Sequence, residues 1–239
     1  MIAGRQQLVL LAASGLAREV MASAAITAHF DLLGVLDDDR VKHGQAFGST
    51  AVLGAIADAV DFPAAQFVVC AGRGAVRERI VRRLAILGIG SDRYATIIDP
   101  TAVVPAGCTV DAGSILLCHV SLTADVTVAR HVLVMPNAVL THDNRIDDYA
   151  TICAGVALGG NVRVGASAYL GMNASVRQDL QVGVHATLGM GSVLLQDLPA
   201  GRTWAGVPAR DLGRDTADQN QQECEPARPV GGLERALLS

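Results

Sequence analysis

Between Ile98 and Leu194 every sixth residue is Val, Leu or Ile, without exception. The series runs from Ile98, Val104, Val110 and Leu116 through Leu140, Ile146 and Ile152 to Leu188 and Leu194, seventeen positions in all. Were a third of the chain Val, Leu or Ile, such a row would arise by chance at about one in 10⁸ for a chosen register. A second series lies two residues earlier, from Ala102, Cys108 and Ser114 to Ala186 and Ser192, and is small or aliphatic except at Asn144. A helical period of 3.6 does not place one large and one small inward residue every six positions, and neither does a two-residue strand period. A coil with three short flat sides does. The pattern predicts a parallel β-helix of triangular section, with about 18 residues per coil and coils stacked about 4.8 Å apart. The 97 positions from Ile98 to Leu194 give a little over five coils, and a prism roughly 25 Å tall. Gly159, Gly165, Gly171, Gly183 and Gly189 each follow a large inward residue, where a corner is expected to need tight backbone geometry. So narrow an interior accounts for a composition that is 51% hydrophobic but only 3% aromatic.

The first ninety-five residues follow another rule. Residues 7–12 (QLVLLA) read as a buried parallel strand, Ser14 as an N-cap, and 15–29 as a helix burying Leu16, Val20 and Ala24. A second strand at 31–36 ends in Asp37-Asp38-Asp39, a helix follows near 55–60, and 66–71 read as a third strand. Residues 74–87 read as a helix with Val76, Ile80, Leu84 and Leu87 on one face before Gly88. This alternation predicts a small Rossmann-like parallel sheet that binds ligand beyond its strands' carboxyl ends, among 12–17, 37–39 and 72–74. The fold class expected is therefore α/β plus all-β. The domains expected are 1–96 for the Rossmann-like unit, 97–212 for the β-helix and its closing segment, and 213–239, polar and Pro/Gly-rich, as a mobile tail.

With 19 Lys+Arg against 23 Asp+Glu and no basic stripe, the charge pattern argues against nucleic acid as a partner. No run approaches the roughly 20 apolar residues of a membrane span, and no export signal stands out. The five cysteines lack CxxC spacing and sit mostly in apolar runs, as reduced thiols of a cytoplasmic protein do. His131 and His185, three coils apart on one face, are too distant to share a metal, and none is expected.

Two short stretches carry a resemblance. Val139-Leu140-Thr141-His142-Asp143 is similar to the His-acid segment of the NeuD/PglD-type sugar acyltransferases, and Trp204-Ala205-Gly206-Val207-Pro208-Ala209-Arg210 is similar to their closing motif. The likeness covers about residues 7 to 212 and adds what the period cannot give: a left-handed coil, a homotrimer with sites between subunits, and acetyl-CoA as co-substrate. It implies His142 as general base with Asp143 orienting its ring, and Gly160, one coil above, supplying a backbone donor near the acetyl group. It further implies Met172, Met190, Gly191 and Ala205 along the CoA track, and Ser14, Gly15, Leu16, Asp37, Asp38, Gly72 and Arg73 around a sugar nucleotide.

The chemistry fits His142, which stands two residues past an inward aliphatic and so at a corner, where an imidazole can take the acceptor's proton. Two departures bear on specificity. The family's glycine-rich loop is here Ala12-Ala13-Ser14-Gly15-Leu16-Ala17, with Leu16 where a histidine often reaches the nucleotide. Thr151 stands where many members carry a second active-site histidine, so that acetyl positioning falls to Thr151 or to backbone. The leading expectation is N-acetylation of a nucleotide-linked amino sugar by direct transfer. The alternatives are O-acetylation of a sialic-acid-like or other sugar, and a non-catalytic trimeric binding or scaffold protein. A nicotinamide-dependent dehydrogenase is disfavoured because no GxGxxG follows the first strand.

Overall fold

The computed structural model describes residues 5–27 and 29–214, so the expected tail lies almost wholly outside the described residues. Five strands form the front sheet: β1 (Gln6–Leu11), β2 (Phe30–Leu36), β3 (Ala46–Phe47), β4 (Thr50–Gly54) and β5 (Gln66–Val69). Their order is β3-β4-β2-β1-β5, parallel except for the β3–β4 hairpin. Along the central strand β1, alternate residues serve opposite faces. Leu8 and Leu10 join α1 (Gly15–Thr27) and the coil, while Val9 and Leu11 join Phe67, Ile80 and Leu84 on the side of α2 (Gly74–Ile86). Burial on both faces is what a continuous apolar strand requires. Ser14 caps α1 by accepting from Ala17 N at 3.2 Å, and its hydroxyl also donates to Cys70 O at 2.6 Å, joining the ends of β1 and β5.

The front region differs from expectation in three places. The hairpin β3–β4 is new, being too short to leave a period. The helix expected near 55–60 is a 3-10 turn, Ile56–Asp61. On α2 the buried positions are Gly74, Arg77, Ile80 and Leu84, while Leu87 is exposed as the helix's cap residue.

The coil is as the period predicts. Ile97–Ile98, Ile115–Leu116, Leu133–Val134, Thr151–Ile152, Tyr169–Leu170 and Thr187–Leu188 stack in parallel as a first side. A second side runs from Ser121–Leu122 to Val193–Leu194, and a third from Thr109–Val110 to Gln181–Val182. From Leu116 to Leu194 every large inward residue is buried; Ile98, Val104 and Val110 are only partly covered, at the open lower end. At the upper end Trp204 pairs with Leu188 and closes the apolar column.

The tight corner conformation is not at the glycines expected. Every sixth residue from Gly107 to Gly191, including His119, Asp125, His131, Asn137, Asp143, Tyr149, Asn161 and Ser167, has φ between 54° and 97°. This position is three past each large inward residue, and favours Gly, Asn, Asp and His because they tolerate the left-handed backbone region. Gly159, Gly165 and Gly171 serve close stacking instead: a Cβ on Gly159 would lie 2.6 Å from Gln178 N of the next coil.

The front sheet is anchored along the first side. Ala95 N donates to Phe67 O and Ile97 N to Ser114 O, both at 2.9 Å, so the chain leaves β5's edge and enters the coil as a paired strand. The outward residues Ile97, Ile115 and Leu133 are buried with Leu8, Leu10 and Val20. Each such side chain contributes about 1.5–3 kcal/mol by leaving water. No described helix is long and apolar enough to cross a membrane.

Candidate active site

His142 lies in the corner between the second and third sides, directly opposite the first side on which the front sheet sits. Its ring is 64% exposed, and Nδ1 is 2.8 Å from Asp143 Oδ2. Asp143 takes the left-handed turn conformation at φ 61°, which turns its carboxylate back along the preceding residue's ring. One coil above, Gly160 packs so closely that a Cβ there would collide with Cε1 and Nε2 of His142. Among the described residues the Gly160 amide has no hydrogen-bond acceptor, while its carbonyl accepts from Asp179 N at 2.9 Å. The corner thus presents an oriented imidazole beside an unpaired backbone donor. Asn144 braces it from inside, donating from Nδ2 to Gly159 O at 2.8 Å.

The remaining expected residues fall in two other places. Met172, Met190 and Gly191 lie at the corner between the first and second sides, with the two methionines 46% and 71% exposed. Ala205 stands above Gly189 in the closing segment. Ser14, Gly72 and Arg73 line a cavity of about 520 Å³ whose opposite wall is Tyr169 and Thr187 of the first side. Beyond Ala12 and Val76 it adjoins a second cavity of about 270 Å³, lined by Asp37, Asp38, Arg79 and Arg83.

Some expected ligands are spoken for. Leu16 is buried in the front core, and neither it nor the exposed Gly15 borders these cavities. Asp37 accepts from Ala13 N at 2.7 Å, Asp39 N at 2.9 Å and Lys42 Nζ at 3.1 Å; burial opposes its ionisation, but these donors hold its pKa below the usual carboxylate value. Asp38 forms a two-pronged pair with Arg83 at 2.8 Å, which lowers its pKa. Thr151 is buried, and its hydroxyl donates to Gly72 O at 2.8 Å and accepts from Arg77 Nη2 at 3.1 Å. It faces the front region, on the side of the prism away from His142. Arg77 itself escaped sequence reading, because an arginine on an arginine-rich helix reads as solvated. No group of three or more His, Cys, Asp or Glu able to hold a metal occurs among the described residues.

No protein-family model matches the chain, and no curated protein sequence matches it. Solved structures do. The acetyltransferase domain of PglB from Neisseria gonorrhoeae, solved in complex with acetyl coenzyme A, is 28% identical with a TM-score of 0.79, over 87% of this chain and 100% of that one. PerB from Caulobacter crescentus, in complex with CoA and GDP-perosamine, is 25% identical with a TM-score of 0.79, over 88% and 98% of the two chains. WeeI from Acinetobacter baumannii is 26% identical with a TM-score of 0.76, over 86% and 99%. These matches cover most of the chain, so the likeness takes in both the front sheet and the coil, and in structure the chain resembles the NeuD/PglD-type sugar acetyltransferases.

Proposed function

We propose that the protein is an acetyl-CoA-dependent N-acetyltransferase acting on a nucleotide-linked amino sugar by direct transfer. The observation that carries this reading is the His142 corner: an imidazole held by Asp143, exposed, and set against the free amide of Gly160. The acceptor amine attacks the thioester carbonyl, and His142 Nε2 removes the proton that the amine sheds. The Gly160 N–H stabilises the oxyanion of the tetrahedral intermediate. Its collapse expels the CoA thiolate, which takes the proton back from the imidazolium. Two of the structural neighbours carry acetyl coenzyme A in one case, and CoA with GDP-perosamine in the other.

In this reading residues 1–96 form a Rossmann-like unit whose cavity at Ser14, Gly72 and Arg73 takes the acceptor, and residues 97–212 form a left-handed coil that carries the transfer. A single copy cannot join the two, since His142 stands across the prism from that cavity. The second side supports a remedy. Its outward residues Ser121, Val139, Ala157, Ser175 and Val193 are small or apolar, whereas the third side shows Thr127, Arg145, Arg163 and Gln181 to solvent. A three-fold ring with second sides inward brings the His142–Gly160 corner of one copy against the Met172–Met190 corner and front cavity of the next.

A free sialic-acid-like sugar is the second reading, supported by Asp37 and Asp38 being engaged by Ala13, Lys42 and Arg83 rather than open to a base or ribose. The test is incubation with labelled acetyl-CoA and a panel of nucleotide amino sugars and free sialic acids. Label on an amine of the former supports the proposal, label on a sialic-acid hydroxyl favours the second reading, and CoA release with neither class overturns both.

A further inference from the structure

Among the described residues Arg77 is the largest fully buried side chain, and none of them gives it an acidic partner. Its Nε donates to His131 O at 2.9 Å. Nη1 donates to Ala71 O at 2.7 Å and Gly72 O at 3.0 Å. Nη2 donates to Tyr149 O at 2.7 Å, Ala150 O at 2.9 Å and Thr151 Oγ1 at 3.1 Å. One planar fork therefore ties the loop after β5 to two successive coils. Burial lowers its pKa to about 10, which leaves it a cation at neutral pH with no counter-ion among the described residues. Such a group is a poor choice for stability alone, because desolvating a charge costs more than packing an apolar side chain of the same volume. What it supplies is fixed geometry.

That geometry bears on the 520 Å³ cavity. One wall is Ser14, Gly72 and Arg73 from the front region and the other is Tyr169 and Thr187 from the coil, so its width is the distance that the Arg77 fork sets. Thr151 adds a second tie to the Gly72 carbonyl at 2.8 Å. Gly74 presses the start of α2 onto the coil, where a Cβ would collide with Tyr149 O.

We propose that Arg77, together with Thr151, is a positioning residue that presets the Gly72-Arg73 edge of the acceptor cavity against the coil and so governs acceptor affinity without touching the reacting atoms. This rests on the reading of that cavity as the acceptor site.

The test compares wild type, Arg77→Lys and Thr151→Val. The readouts are hydrogen exchange of the 71–76 amides in the free protein, and kinetics with acetyl-CoA and a nucleotide amino sugar that the wild type acetylates. Each variant should speed exchange over 71–76 and raise the acceptor KM by about tenfold, with kcat and the acetyl-CoA KM within about twofold, as expected for one or two lost hydrogen bonds. Equal rises in both KM values, or unchanged 71–76 exchange in Thr151→Val, would overturn it. Should Arg77→Lys fail to fold, Thr151→Val decides. Should the wild type acetylate no sugar, the functional reading falls, and the exchange measurement alone decides whether the clamp exists.

Discussion

The ring of His142 lies directly beneath Gly160, with no space between them for a methyl group. Gly160 does not have a positive φ, so alanine there costs little backbone strain. Gly160→Ala should leave the thermal midpoint nearly unchanged while pushing the imidazole off its position. A displacement of about 1 Å at a catalytic base lowers turnover by about 10²-fold, close to the lower end of the loss expected for His142→Ala. Acetyl-CoA consumption by both variants checks this, and full activity in Gly160→Ala would show that the ring's position there is immaterial.

Asp143 meets two requirements, the left-handed corner and a carboxylate on His142 Nδ1. Asparagine at the same corner would satisfy only the first. In Asp143→Asn the amide can donate to Nδ1 and so favour the tautomer with its proton on Nε2, where the base must be empty. A fall in kcat of about 10²–10⁴ is expected with the fold intact. Circular dichroism and single-turnover rates separate this from unfolding, and an unaltered rate would mean that the carboxylate serves the corner alone.

Much of this was legible because the prism repeats one decision. Each hexapeptide spends a large and a small position on the same narrow interior, so seventeen aliphatic residues announce the coil together. The left-handed corner residue was harder to read, since Gly107, Asn137, Asp143, Tyr149 and His185 share a backbone conformation and no side-chain chemistry. Arg77 left no trace either: burial of an arginine depends on carbonyls from residues 131 and 149–150, which only tertiary structure assembles. The two residues of the proposed site, His142 and Gly160, were visible one by one. Their separation from the front cavity was not, because a corner's sequence position does not say which side of the prism another region covers.

His131 predicts a loss of stability in mild acid. Its ring is 4% exposed, stacked on Tyr149 at 5.2 Å and edge-on to Tyr94 at 4.7 Å. Burial, reinforced by the Arg77 charge, lowers its pKa to about 4, with Asp148 opposing weakly. In the unfolded chain the value is about 6.5, so between these limits the unfolded state binds a proton that the folded state refuses. Stability is complete above about pH 6.5 and should fall by up to about 3 kcal/mol as pH drops to 4. Asp37, Asp38 and Asp99, whose pKa values are lowered, lose their contribution only at more acidic pH. Urea midpoints across this range should fall for the wild type and stay flatter for His131→Asn, which retains the corner; parallel slopes would exonerate His131.

Asn144 breaks the small-aliphatic series, and the structure gives the break a use. It stands between Val126 below and Val162 above, fully buried, with Nδ2 on Gly159 O and Oδ1 without a partner. A buried unpaired carbonyl is a burden that Val in the same place would remove, at the cost of a hydrogen bond worth about 1 kcal/mol. Asn144→Val should therefore melt within a few degrees of the wild type, or above it, while losing the brace that fixes Gly159-Gly160 over His142. About tenfold lower kcat with acetyl-CoA KM little changed is expected, since the loss falls on geometry at the reacting carbonyl rather than on substrate binding. If the variant melts normally and turns over at the wild-type rate, Asn144 is a tolerated irregularity of the core and the corner needs no brace.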